Sequence, residues 1–338
     1  MPLVSAARLS ACVVGAGAVG ALFIQSLTKA GWNVTALARG QTLTNIREAG
    51  LRIDSERIDV VATDDPASLG HQDYLILALK APALPQAAPQ LKPMIGPNTV
   101  IVSTMNGVPW WFFHGFGGEL SGKRLESVDP TGSTAESMPA AQAIGCVVHL
   151  SSVNAGPAVV ERGNGNRLIV GNPSGLLDQR AKDLIAALSS GGFEVEATSS
   201  IQREIWSKLW GNMNMNPISA LTGSTGDKIL NDPLTNQLVR RMMIEHVWIG
   251  QKIGIDMGMT VDERFAVTRK LGAFKTSMLQ DLDSRRPLEI DALLASVIEI
   301  GALVGVPTPY CDTVLGLIRQ RAANLGLYRL PATKHANA

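Results

Sequence analysis

The stretch Arg8–Gly20, RLSACVVGAGAVG, sets a short apolar run directly against three glycines. Leu9 to Val14 has the length and composition of a buried strand. An apolar helical pattern follows from about Ala18 to Ala30, where Gly31 ends it, and Asn33 to Ala38, NVTALA, reads as the next strand. Strand, glycine turn, helix and strand in that order make the βαβ unit of a dinucleotide-binding domain. Gly15 permits the tight turn, Gly17 lets the backbone approach a pyrophosphate, and Gly20 lets the helix pack close to the sheet. The run Gly15-Ala16-Gly17-Ala18-Val19-Gly20 is therefore the candidate phosphate cradle, with the free N–H groups of the helix start facing the anion. Glycine-rich turns are common; the strand before and the helix after give this one its meaning.

The end of the second strand separates the two dinucleotides. An NAD site carries Asp or Glu there to receive the ribose hydroxyls. This chain has Ala38-Arg39-Gly40-Gln41, with no carboxylate until Glu48. Arg39 can pair with a 2′-phosphate, so NADP is favoured. Tyr74 to Ala78 and Val100 to Ser103 read as further buried strands. Lys80 and Asn106 follow them, at the carboxyl edge where ligands of open α/β sheets bind.

Downstream, Pro109 to Gly118, PWWFFHGFGG, is an aromatic-rich loop, and Glu119 to Met138 is polar. A connection this long suits a lid or wall over the substrate, or a self-association patch. Strands then return at AIGCVVHL, GPAVVE and NRLIVG, with short turns that suggest antiparallel pairing added to the parallel sheet. A helix from about Leu176 to Leu188 and a strand near Phe193 to Glu196 complete this half, which spans residues 1–199.

Beyond Ser200 the alternation disappears, and residues 200–338 read as an all-helical domain. Its long apolar segments cover Pro233 to Ile253, Val261 to Asp283, Glu289 to Val304, and the chain after Pro309. No linker marks the boundary, so a docked interface with a ligand site in the cleft is expected. Ile201 to Asn216, IQREIWSKLWGNMNMN, is helical in pattern up to Pro217. Lys208, Asn212 and Asn216 are spaced by four and so share one stripe. Such a stripe is either a solvated face or a site for a small anion. Ser277 sits on a later helical segment, and Glu289 begins another.

The chain has 338 residues, 46% of them hydrophobic and 17% charged, with a net charge of +1. That balance suits two globular domains and argues against nucleic acid as a partner. The three cysteines fit no metal or redox spacing, so no metal is expected. Their odd number, without a signal sequence in the short tail Met1–Arg8, points to the reducing cytoplasm. No run of about twenty apolar residues is present, so no membrane span is expected.

Taken together, GAGAVG at Gly15, Arg39, LKA at Lys80, NG at Asn106, WSKLWGNMNMNP around Lys208, TSMLQD at Ser277 and RPLEID at Glu289 resemble the ketopantoate reductase (2-dehydropantoate 2-reductase) family over nearly the whole chain. The last three are fairly specific as an ordered set. The resemblance implies an α/β Rossmann-like dinucleotide-binding domain followed by an all-α C-terminal domain of the 6-phosphogluconate dehydrogenase C-terminal-like kind. It implies NADPH-dependent reduction of 2-oxopantoate, a small 2-oxo acid, to pantoate on the route to pantothenate and coenzyme A. Lys208 would be the proton donor. Asn212, Asn216 and Ser277 would bind substrate, and Glu289 would contact cofactor and support the lysine. Lys80 and Asn106 would contact the cofactor, Asn106 also lying near substrate.

The chemistry of these residue types agrees. An alkoxide forming at a reduced ketone needs a proton donor, and carboxamides donate hydrogen bonds without adding charge. An ammonium among tryptophans is expected to lose hydration, which favours giving up the proton, while a nearby Glu289 would act the other way. Trp110 to Met138 looks longer than the family's connection, and Glu161 stands where a histidine is frequent. Both bear on the substrate more than on the reaction class. The alternatives are a reductase of another branched 2-oxo acid and a non-catalytic NADP-binding sensor. A homodimer is carried as a candidate state.

Overall fold

The structure is a computed structural model and describes residues 8–330; of the N-terminal tail only Arg8 is among them. The chain divides into two compact units, Met1–Glu204 and Ile205–Ala338.

The first unit begins with β1 (Ser10–Val14), α1 (Ala18–Lys29), β2 (Asn33–Leu37) and α2 (Gly40–Ala49). A hairpin of β3 (Leu51–Ile53) and β4 (Glu56–Ile58) leads to β5 (Val61–Thr63), β6 (Tyr74–Leu77), α3 (Leu84–Leu91) and β7 (Val100–Ser103). Then come a short α4 (Ser133–Ser137), β8 (Ala143–His149), β9 (Ser152–Gly156), β10 (Val159–Arg162), β11 (Arg167–Gly171), α5 (Gln179–Ser190) and β12 (Glu194–Ala197). Eight strands form one sheet in the order β12-β11-β8-β7-β6-β1-β2-β5. The pairs from β5 through β8 are all parallel, and β11 runs antiparallel to β8. The strand within GPAVVE, β10, expected to pair antiparallel in this sheet, lies instead in a second sheet ordered β4-β3-β10-β9. There β10 pairs in parallel with β3, through the hairpin that the sequence pattern did not reveal. Strands this short carry too little periodicity to be recognised.

Strands β6 and β7 are buried at every position, as expected of a sheet covered on both faces. Ala11, Val13, Ile76 and Val102 join Phe23, Leu27, Leu184 and Leu188 of α1 and α5 in one core. The alternate residues Cys12, Leu75 and Ile101 are equally buried and point to the opposite face. The aromatic segment contributes to that second face. Trp111 Nε1 donates to Ser103 Oγ at 3.0 Å, and a Cβ on Gly145 would lie 2.8 Å from the Trp111 ring. Trp110, Trp111, Phe112 and Phe113 are all buried, and Trp110 Nε1 donates to the Met138 carbonyl at 3.0 Å. The expected lid, wall or association patch is thus corrected: these four aromatics are core. The polar residues after them are tied down by buried Asp129, whose carboxylate accepts from the backbone N–H groups of Thr134 and Ala135.

The second unit is helical, with no strand among its described residues. It comprises most of α6 (Ile201–Thr222), then α7 (Gly226–Asn231), α8 (Pro233–Lys252), α9 (Val261–Arg269) and α10 (Ser277–Asp283). A π-helical turn, Asp291–Ala295, leads into α11 (Ser296–Leu303), and α12 (Pro309–Asn324) closes it. Two expectations are corrected. α6 does not stop at Pro217 but continues to Thr222. Proline inside a helix costs about 3 kcal/mol, and burial of Met213, Met215, Ile218 and Ala220 on this helix offsets it. The segment read as one helix from Val261 to Asp283 is two. Gly272, at φ +64°, follows α9, and the Thr276 hydroxyl accepts from Leu279 N–H to start α10.

Candidate functional site

The glycine loop is shaped by what it excludes. Gly15 has φ +98°, and its N–H donates to the Leu37 carbonyl at 3.0 Å. A Cβ on Gly20 would lie 1.8 Å from the Gly15 carbonyl oxygen, so nothing larger fits where α1 meets β1. Gly17, the N-cap of α1, differs: a Cβ there would meet nothing nearer than Asn154 Nδ2 at 3.9 Å. That open space is where a pyrophosphate could approach the backbone, beside the free N–H groups of Ala18, Val19 and Gly20.

The loop borders a cavity of about 330 Å³ whose walls include Gly15, Ala16, Gly17, Arg39, Thr42 and Asn154. Arg39 also lines a smaller cavity of about 130 Å³ with Asp64, Gln86 and Gln90. It caps the N-terminus of α2, so its side chain and the first N–H groups of that helix present one electropositive end. The cradle and Arg39 are therefore brought together, as the sequence suggested. Asn154, Thr42 and Asp64 were missed. Asp64 follows β5, a three-residue strand, and Asn154 arrives from the second sheet. Neither carries a local motif.

Lys80 follows β6, the neighbour of β1, and Asn106 follows β7, one strand further out, both at the carboxyl edge of the sheet. This is the point where strand order reverses: the chain runs outward from β1 to β2 and β5, then returns to β6 on the other side. Lys80 is exposed and Asn106 half-buried. A third cavity, of about 280 Å³, lies among Gln25, Lys29 and Arg162 and touches none of the residues singled out in the sequence. Glu161 is exposed on β10.

In the helical unit Lys208, Asn212 and Asn216 lie on α6 with the expected shared stripe; the first two are half-buried and Asn216 is 5% exposed. The Asn216 Nδ2 is a buried donor without a partner. Leaving such a donor unmet costs about 1–3 kcal/mol, which a bound acceptor would return. Ser277 is exposed at the start of α10, and Glu289 is buried just before the π-helical turn.

The tryptophans correct one expectation. Trp206 and Trp210 stand two residues from Lys208, about 160° around the helix from it. Trp206 stacks on His246 of α8 with ring centroids 4.0 Å apart, and Trp210 Nε1 donates to the Met243 carbonyl at 3.0 Å. They anchor α6 to α8 on the face away from Lys208, so they do not surround the ammonium. His246 itself is fully buried, its Nε2 3.0 Å from the Trp206 carbonyl, and burial pushes its pKa down to about 3.

Two family models match the chain. "Ketopantoate reductase PanE/ApbA" covers residues 11–110 and "Ketopantoate reductase PanE/ApbA C terminal" covers residues 200–322. A 2-dehydropantoate 2-reductase of Mesorhizobium japonicum is 41% identical over 321 residues, 94% of this chain and 98% of that protein. The crystal structure of a candidate ketopantoate reductase from Ralstonia solanacearum MolK2 superposes with a TM-score of 0.91 at 48% identity, over 95% of this chain and all of that one. A D-mandelate dehydrogenase solved with NADH and anilino(oxo)acetate shares the fold at 21% identity and a TM-score of 0.79, over 94% of this chain and all of its own. By the two matching models and the extent of these relationships, the chain belongs to the ketopantoate reductase family.

Proposed function

We propose that this protein reduces 2-dehydropantoate to pantoate with NADPH, with Lys208 as the proton donor. The observation that carries this reading is the Lys208–Asn212–Asn216 stripe, standing in a chain 41% identical to a 2-dehydropantoate 2-reductase over 94% of its length. Residues 1–199 hold the nucleotide, and residues 200–338 hold the substrate.

The nucleotide-binding residues fit the cofactor. Open space at Gly17 receives the pyrophosphate against the start of α1, and Arg39 with the first turn of α2 receives a 2′-phosphate. Asp64 on the neighbouring cavity wall works against that phosphate, but of these two charged residues Arg39 alone lines both cavities. When bound, the reduced nicotinamide supplies the hydride for the 2-oxo carbon. Lys80 and Asn106, at the carboxyl ends of β6 and β7, hold the cofactor, and Asn106 also orients substrate. Lys208 donates a proton from Nζ to the oxygen as negative charge develops there. Asn212, Asn216 and Ser277 donate to the oxygens of the 2-oxo acid, which meets the open Asn216 Nδ2. Glu289 contacts the cofactor and holds the lysine in place.

Initial rates across a panel of branched 2-oxo acids, each with NADPH and with NADH, test the reading. The highest kcat/KM is expected for 2-dehydropantoate with NADPH. Preference for another 2-oxo acid would overturn the substrate, and equal use of NADH would overturn the cofactor. The protein is further proposed to be a cytoplasmic homodimer; a monomer mass by light scattering would refute the dimer.

A further inference from the structure

Arg264 stands half-buried on α9 without a polar partner. Its Nε is shielded from solvent and unbonded, and among the described residues no acceptor meets its guanidinium. The neighbouring arginines differ. Arg240 pairs with Asp262 and lies over the Phe265 ring, and Arg269 donates to Asn231 Oδ1 and to the Leu230 carbonyl. Burial depresses the pKa of Arg264 below its ordinary value, which marks a cation held partly out of water with no anion to compensate.

The guanidinium rests against Gly211 of α6. A Cβ built on that glycine would lie 2.5 Å from Arg264 Nη2, so the missing side chain makes room for the planar fork. Gly211 is adjacent to Asn212 and three residues beyond Lys208. Helix residues three apart have Cβ atoms about 5–6 Å from each other, so the fork lies within a turn of the lysine. A guanidinium seated beside the helix position of a lysine favours an anion within reach of both.

We propose that Arg264 binds the carboxylate of the 2-oxo acid, a role that rests on the reductase reading of Lys208. In such an acid the carboxylate carbon is bonded directly to the keto carbon. A bidentate grip on the carboxylate therefore fixes the keto oxygen relative to a donor one helical turn away. Arginine suits this better than lysine because its two parallel N–H groups match the two carboxylate oxygens. Gly211 belongs to the same device, because any side chain there displaces the fork.

Steady-state kinetics of Arg264→Gln, Arg264→Lys and Gly211→Ala with 2-dehydropantoate, its neutral lactone and NADPH test the assignment. Arg264→Gln is expected to raise KM for the acid about 100-fold, the scale of a lost charge-assisted pair. The lactone rate and the KM for NADPH should stay near wild type, which also shows that the variant is folded. Arg264→Lys should recover part of the loss. In Gly211→Ala the added methyl meets the flexible end of Arg264, so KM for the acid should rise with the melting temperature unchanged. Wild-type KM for the acid in both Arg264→Gln and Gly211→Ala would overturn the assignment, as would equal losses on acid and lactone. If the wild-type protein failed to turn over 2-dehydropantoate at all, the reductase reading would fall first, and the role of Arg264 with it.

Discussion

The proposed nucleotide cradle of the first unit and the proposed substrate stripe of the second would work by opposite means. In the loop the proposed working groups are backbone N–H groups, and sequence enters through side chains that are absent. On α6 the proposed working groups are side chains, and the backbone supplies only their spacing. The first arrangement is fixed by steric exclusion at individual positions. The second has no steric signature, because a lysine and two carboxamides spaced by four also describe a solvated face.

Substitutions sharpen the contrast, beginning with the largest effect. Gly20→Ala would force a Cβ within 1.8 Å of the Gly15 carbonyl, a backbone atom that cannot rotate away. It is expected to cost more than the roughly 1–3 kcal/mol of ordinary overpacking, read as a large fall in melting temperature or loss of folded protein. Arg39→Ala is expected to leave folding intact and weaken NADPH about 10- to 100-fold, the worth of charge-assisted hydrogen bonds, while NADH binding stays unchanged. Equal loss with both cofactors would remove the case for a 2′-phosphate. Asp64→Asn in the neighbouring cavity should tighten NADPH. Gly17→Ala finds open space in the free protein, so its melting temperature should hold while cofactor Kd rises by about tenfold or more. A pair of glycines thus separates folding from binding within one loop.

A further effect falls in the helical unit and depends on pH. His246 is buried and neutral, with a pKa of about 3 against 6.5 in its ordinary state. The unfolded chain therefore takes up a proton that the folded chain refuses, so stability is full above about 6.5 and declines as pH falls toward 3. The slope approaches about 1.4 kcal/mol per pH unit in that window. Denaturation of His246→Phe across pH 4 to 7 should show a shallower dependence than wild type. Among the described residues the first unit buries no histidine, so its acid sensitivity has no counterpart to this group.

The same contrast explains what the sequence made legible. The βαβ unit, the parallel sheet and the helical second half were readable because each rests on long periodicity or on glycine geometry. Arg39 was readable from its place after β2. Three things were not. The second sheet depends on three-residue strands that pair across more than a hundred residues, as Val159 does with Arg52. The tryptophans of α6 share a segment with Lys208 but turn to its far side, which sequence proximity conceals. Trp110 to Phe113 look like a mobile aromatic loop until the indole N–H groups are seen to reach Met138 and Ser103 inside the unit. Pro217 misled for a related reason: packing along α6 outweighs the local preference to stop.

Lys208→Ala is the most direct test of the proposed chemistry. With saturating NADPH and 2-dehydropantoate, the variant is expected to keep its melting temperature and its NADPH affinity while kcat falls by about 10²- to 10⁴-fold, the scale of general acid catalysis. A kcat equal to that of the wild type would show that the proton comes from elsewhere.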